Sequence, residues 1–188
     1  MAMPLTTHRF TVAEYQRMGE AGVFREDDRV ELIDGQVVEM SPIGPRHAAC
    51  VDRLTRVFSQ RLGDRAVVRV RSPIVLGRHA APQPDVTLLQ PPIERYAEAH
   101  PEARDTLLVI EVADTTADYD RSVKVSLYAR AGIAEVWLVD LEAHSIELSR
   151  TPKGGRYSDR RTARSGEIIS PSVFPTVQIS TDEVLGSR

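Results

Sequence analysis

One cysteine, Cys50, in 188 residues leaves neither an internal disulfide nor a cysteine-based zinc cage, and the thiol's apolar neighbours assign it to packing rather than nucleophilic chemistry. A net positive charge is also lacking. Twenty-four Lys and Arg stand against 27 Asp and Glu, for a net charge of −3, so no overall field draws the chain onto nucleic acid and phosphate contacts must be local. No apolar run is long enough to cross a bilayer, and no secretory leader follows the first residues, which makes a cytoplasmic location without a membrane partner the expectation. A glycine-rich phosphate loop, a zinc finger, a helix-turn-helix and internal repeats are all missing. His8, His79, His100 and His144 lack zinc-ligand spacing. What remains, with 41% hydrophobic residues, is one globular domain over residues 1–188.

The pattern of that domain is mixed. Thr11 followed by Glu14 predicts a capped helix over residues 11–18, ended by a turn at residues 19–22. Asp34-Gly35 between two apolar runs, residues 29–33 and 36–40, is a hairpin signal. Cys50, Val51, Leu54, Val57, Phe58 and Leu62 recur at helical spacing, so residues 47–62 form an amphipathic helix that stops at Gly63. Residues 66–71 alternate like a strand, with Arg69 and Arg71 on one face. Two further apolar strands follow, separated by an irregular stretch from Pro91 to Asp105, and then a helix over residues 118–131 and a strand over residues 134–140. Strand, helix and strand in that order imply a crossover within a mixed sheet. Residues 145–149 pair beside it, residues 151–164 are a polar, basic tail, and the end of the chain is short and β-like.

Two acids interrupt the apolar strands: Asp85 in Pro84-Asp85-Val86 and Glu111 in Val109-Ile110-Glu111-Val112. A buried carboxylate costs several kcal/mol unless a cation, a metal or donors compensate it. Two such acids converging from neighbouring strands make an oxygen-rich site for a hard divalent cation, Mg²⁺ or Mn²⁺, and a nearby ammonium adds the means to hold an anion. This points to metal-dependent phosphodiester hydrolysis. Asp120, Lys124 and Tyr128 lie four residues apart on one helix face. On spacing alone the first two read as a solvated ion pair worth about 0.3–0.5 kcal/mol. Asp85 alone also reads as a turn acid after proline.

Glu31 and His47 are supporting candidates. Glu31 either completes the acidic site or pairs with an arginine, and His47, at a helix start where the cationic form is disfavoured, either orients water or phosphate or serves as a structural cap. Lys153, Arg156, Arg160, Arg161 and Arg164, with Tyr157 among them, form the densest basic segment, which reads either as a grip on a phosphate backbone or as a solvated loop.

Taken in order, Glu31-Leu32-Ile33-Asp34-Gly35, Met40-Ser41-Pro42, His47, Pro84-Asp85-Val86, the Glu111 strand, Asp120, Lys124, Tyr128, Gly132-Ile133 and the strand from Glu135 to Asp140 resemble the Uma-two family of restriction-endonuclease-like proteins, a branch of the PD-(D/E)XK nuclease superfamily. The resemblance spans most of the chain. It implies an α/β, restriction-endonuclease-like mixed central sheet flanked by helices, with an N-terminal hairpin and additional C-terminal β segments. It further implies Asp85 and Glu111 as metal ligands, with the Val112 carbonyl as an additional one, and a metal-dependent endonuclease acting on nucleic acid, DNA first. The superfamily's lysine two residues after the second acid is absent, because Ala113 stands there; the family pattern places it on the following helix, at Lys124, and so reverses the reading of that residue as a surface ion pair. The competing expectation is a catalytically inactive nuclease-fold module that binds nucleic acid or protein. Self-association as a homodimer is left open.

Overall fold

In a computed structural model, residues 6–25 and 27–186 are described; the first five residues, read as carrying no leader, lie outside them. The first helix, α1 (Val12–Glu20), starts at Thr11, whose side chain accepts from Glu14 N while Glu14 returns a bond to Thr11 N, closing the expected capping box. Strands β1 (Val30–Ile33) and β2 (Gln36–Glu39) pair through Asp34 and Gly35, both at positive φ. A Cβ at Gly35 would stand 2.7 Å from that of Arg9, so glycine is required there. This hairpin forms a sheet of its own, tied to the body by a bridge between Leu32 and Ala81.

The body is a six-stranded sheet in the order β3 (Val67–Val70), β4 (Val86–Leu89), β5 (Thr106–Ala113), β6 (Glu135–Asp140), β7 (Ser145–Lys153) and β8 (Arg156–Arg164). Only β5 and β6 run parallel, which is the expected crossover. Helix α2 (Pro45–Leu62) buries the six predicted apolar residues, Cys50 among them, on one face of the sheet against Ile110, Trp137 and Leu148. On the other face, α4 (Val125–Ala131) packs Leu127 and Tyr128 against Val109 and Val136. Gly132, in the left-handed region, closes α4 by donating to Ala129 O. Among the described residues no helix is long and apolar enough to cross a membrane.

Three expectations need correction. The helix predicted over residues 118–131 is present as a continuous helical run, but its middle is wider than α-helical: α3 (Ala117–Tyr119) passes into a π-helical segment (Asp120–Lys124) and then α4. The basic stretch after Thr151 is not a loop but the second arm of a regular hairpin, because Arg160 pairs with Ser149 and Arg164 with Ser145. The C-terminal region adds the short pair β9 (Ile168–Ile169) and β10 (Ile179–Ser180), but it also ends in a helical turn, α5 (Thr181–Leu185), capped by Ser180 and Glu183 and packed on α2 through Val184 and Leu185.

Candidate metal and phosphate site

The register of β4 against β5 pairs Val86 with Ile110, which sets Asp85 one position beyond the strand and opposite Glu111. Side chains alternate across a sheet, so the two acids face the same side. Val112 N donates to Asp85 Oδ2 at 3.0 Å, anchoring that carboxylate to the backbone of the neighbouring strand. Glu31 arrives from β1, and Asp120 and Lys124 from the π-helical segment, whose wider turn aims both side chains at the sheet. A pocket of about 480 Å³ is lined by Glu31, His47, Asp85, Glu111, Val112, Asp120 and Lys124, together with Asp114, Thr116, Tyr119 and the segment from Val38 to Gly44.

Glu31, Asp85, Glu111 and Asp120 are buried, and so is Lys124, at 5% exposure. That overturns the solvated Asp120–Lys124 pair. The ammonium instead lies 3.2 Å from Glu31 Oε2 and 3.2 Å from Glu111 Oε1, while Asp120 accepts from Thr116 Oγ1 at 2.7 Å. Tyr128 OH donates to Glu111 Oε1 from beneath, and Gln83 N donates to Glu31 Oε2 at 3.0 Å. His47 Nε2 stands 3.0 Å from Asp85 Oδ2. Among the described residues Glu111 Oε2 and Asp85 Oδ1 accept no hydrogen bond.

Charge in this pocket does not balance. Against the four buried carboxylates stand Lys124 and, 3.6 Å from Asp85 Oδ1, the guanidinium of Arg71, so two negative charges are in surplus among these groups when every one of the four is ionised; Asp114, less buried, is paired separately with Arg46. Burial raises the Glu111 carboxyl; Lys124 opposes the shift, and Asp85, Asp120 and Glu31 reinforce it. Asp120 is raised by burial as well, against the pull of Lys124 and Thr116. Burial works against the charge on Lys124, but Glu111, Glu31, Asp120 and Asp85 together hold its pKa above that of an ordinary lysine.

The residues fit a hard divalent cation. Two carboxylate oxygens that accept no hydrogen bond among the described residues, on Asp85 and Glu111, belong to side chains lining one pocket, and the charge among its buried groups is negative; the lining holds one imidazole, His47, and no thiol. Among the described residues no three acidic, histidine or cysteine side chains close into a preformed cage.

Of the other sequence candidates, Lys153, Arg156, Arg160, Arg161 and Arg164 lie on the edge hairpin and do not line the pocket. Arg161 is engaged by Glu167. Sequence reasoning passed over Arg71, Gln83, Thr116 and Tyr119 as site residues. Tyr119 and Thr116 flank Asp120, and Gln83 stands two residues before Asp85, closely enough to have been suggested, whereas Arg71 joins the site only through tertiary folding.

A mixed sheet covered by helices on both faces, with paired acids where β4 meets β5 and a lysine on the crossover helix, defines a restriction-endonuclease-like protein. The crystal structure of "a putative nuclease belonging to DUF820" from Anabaena variabilis ATCC 29413 shares this fold, with a TM-score of 0.75, 94% of this chain and 97% of that chain covered, and 14% sequence identity. The Uma2 family, described as "putative restriction endonuclease", matches residues 12–182, and the chain belongs to it. No curated protein matches the chain in sequence.

Proposed function

We propose that this protein is a metal-dependent endonuclease that hydrolyses phosphodiester bonds, with DNA as the leading substrate. Family membership and the shared fold support a nuclease. The observation that carries the finer reading is the surplus of buried carboxylate around one ammonium, with Asp85 and Glu111 in cross-strand register on one sheet face. Asp85 and Glu111 would hold Mg²⁺ or Mn²⁺, with the Val112 carbonyl as a third oxygen. The chemistry such an ion supplies when bound is polarisation of the scissile phosphate and easier deprotonation of water.

The chain's own groups do the rest. Lys124, kept charged by its acidic neighbours, acts as a donor to the phosphate or to the attacking water and not as a proton acceptor. Tyr128 fixes the Glu111 carboxylate by occupying Oε1. Val112 N and His47 fix Asp85 by occupying Oδ2. Glu31 and Asp120 flank Lys124, and Arg156, Arg160 and Arg164 offer exposed cations for the nucleic-acid backbone away from the reacting centre.

The test is incubation of the purified chain with plasmid DNA, single-stranded DNA and RNA, with Mg²⁺, with Mn²⁺ and with a chelator, beside Asp85→Asn. Divalent-dependent cleavage of at least one substrate that the variant lacks is the expected result. Cleavage that survives either chelation or the substitution overturns the proposal.

A further inference from the structure

Arg71 combines three features that ordinary arginines do not share. Its backbone sits at φ 46°, in the left-handed region that a side chain with a Cβ avoids. Its Nε is, among the described residues, the one buried side-chain nitrogen or oxygen without a hydrogen bond. The guanidinium also faces the two groups that hold one edge of the candidate site, with Nη2 3.4 Å from His47 Nδ1 and Nε 3.6 Å from Asp85 Oδ1. The strained backbone is pinned there by Arg71 N, which donates to Asp85 O at 3.1 Å.

We infer that Arg71 is a positioning residue of this site, setting the orientation of His47 and, through it, leaving Asp85 Oδ1 available to a cation. A guanidinium only donates, so His47 Nδ1 is the acceptor and the ring proton is on Nε2, where it donates to Asp85 Oδ2. Arg71, His47 and Asp85 therefore form a directed chain of donors. With Val112 N on the same oxygen, Oδ2 is fully engaged and the carboxylate cannot rotate without breaking two bonds.

A simple charge compensator would look different. An arginine whose task was to neutralise Asp85 would place Nε and one Nη on the two oxygens as a fork. Here Nη2 is committed to His47, and Nε is held short of bonding distance by the pinned backbone. Both Nε and Oδ1 go unbonded across 3.6 Å. A buried donor without a partner is expensive for a folded protein, and such local costs gather where a site is preorganised for something else.

This inference rests on the reading of Asp85 as a cation ligand, and the test separates the two. The variants are Arg71→Gly, which relieves the positive φ and removes the orphaned donor, and Arg71→Lys, which keeps the charge but not the directed bond. Three quantities are measured: thermal stability, the ¹⁵N resonances of the His47 ring, and Mn²⁺ affinity by titration calorimetry. In wild type the ring should show the Nε2-protonated tautomer; in both variants the signals should shift toward a tautomer mixture. Arg71→Gly should melt at or above the wild-type temperature yet bind Mn²⁺ about tenfold or more weakly, the size of effect seen when a group supporting a metal ligand is removed.

A lower melting temperature with an unchanged His47 spectrum overturns the inference and leaves Arg71 as structural. A shifted spectrum with unchanged Mn²⁺ affinity overturns it too, since orientation would then have no consequence for Asp85. If wild type binds no Mn²⁺ at all, the metal-dependent reading fails, while the His47 spectra still decide whether Arg71 orients the imidazole.

Discussion

Glu111 and Glu135 are both buried carboxylates on adjacent parallel strands, at 3% and 1% exposure, yet they are solvated by the protein in opposite ways. Glu135, at the start of β6 and on the α2 face, is saturated: Oε1 accepts from Trp137 Nε1 and from Arg150 Nε, each at 2.7 Å, and Oε2 accepts from Ser172 N at 2.6 Å. Glu111, near the end of β5 and on the α4 face, shares one ammonium with Glu31, leaves Oε2 without a donor and faces a pocket with two further acids. Burying a carboxylate therefore does not mark function by itself. What marks it is a carboxylate whose charge the protein has not matched, because an unmatched buried charge persists only where something outside the chain completes it.

Swapping the consequences of the two residues is the sharpest way to break that comparison. Glu111→Gln should reduce divalent-dependent cleavage by about 10²-fold or more, in line with losing several kcal/mol of electrostatic stabilisation, while the melting temperature holds or rises as surplus charge is removed. Glu135→Ala should do the reverse, costing about 3–5 kcal/mol of stability by stranding Arg150 and the indole N–H, with cleavage per folded molecule retained. Denaturant titration and single-turnover cleavage on both proteins check this. A Glu135 variant that folds normally but does not cleave would erase the distinction.

Lys124 probes the same imbalance from the cationic side. Lys124→Met roughly keeps the length of the side chain and removes the ammonium shared by Glu31 and Glu111, so up to about 3–5 kcal/mol of stability should be lost. The deficit should shrink as pH falls and Glu111 takes up a proton. It should also shrink with Mn²⁺, if a bound cation substitutes for the lost charge. Melting curves at two pH values, each with and without Mn²⁺, provide the readout; a deficit independent of both would mean that Lys124 contributes packing alone.

A smaller effect follows from the Glu111 carboxyl, which burial and the neighbouring acids, against the pull of Lys124, push up from 4.5 to about 8. Because the folded-state value is raised, the contribution of Glu111 to metal-free stability is fully present below 4.5 and is lost as pH climbs through about 8. A cation must displace that proton, so apparent Mn²⁺ affinity should rise up to about tenfold per pH unit below the Glu111 value and level off above it. Calorimetry in buffers of different ionisation enthalpy would show close to one proton released per ion at neutral pH. Binding with no proton release would place the ion elsewhere.

Much of this was legible in the sequence, and the exceptions have physical causes. Capping at Thr11, the Asp34-Gly35 turn, the apolar stripe of α2 and the β5–β6 crossover are local or periodic signals, and all four stand in the structure. The π-helical segment was not legible, since residues four apart share a face in an ordinary α-helix too and the spacing carries no signal of the wider turn. The family resemblance picked out Glu111, but strand pattern by itself does not tell it from Glu135, because each is an acid in an apolar strand; their physical difference lies in Arg150, Ser172, Lys124 and Glu31, which arrive from other elements of the chain. Arg71 was visible as one of two arginines on a strand face, but its backbone angle was not.

The smallest effect tests whether matched and unmatched charge also divides the surface. On β8, Arg161 is bonded to Glu167, whereas the side chains of Arg160 and Arg164, also exposed, make no hydrogen bond or ion pair among the described residues. A cation already paired on the protein gains little by meeting a phosphate, since it must give up one partner for another; an unpaired one releases counterions from the nucleic acid at no such cost. Arg160→Ala and Arg164→Ala should therefore each weaken DNA binding modestly and lower the slope of log affinity against log salt by about 1. Arg161→Ala should change neither. Fluorescence anisotropy with one duplex and one single-stranded probe, across a salt series and with a chelator present to prevent cleavage, gives both quantities. Equal effects from all three substitutions would show that β8 contributes only its total charge, and unchanged slopes in all three would move the backbone contact off this hairpin.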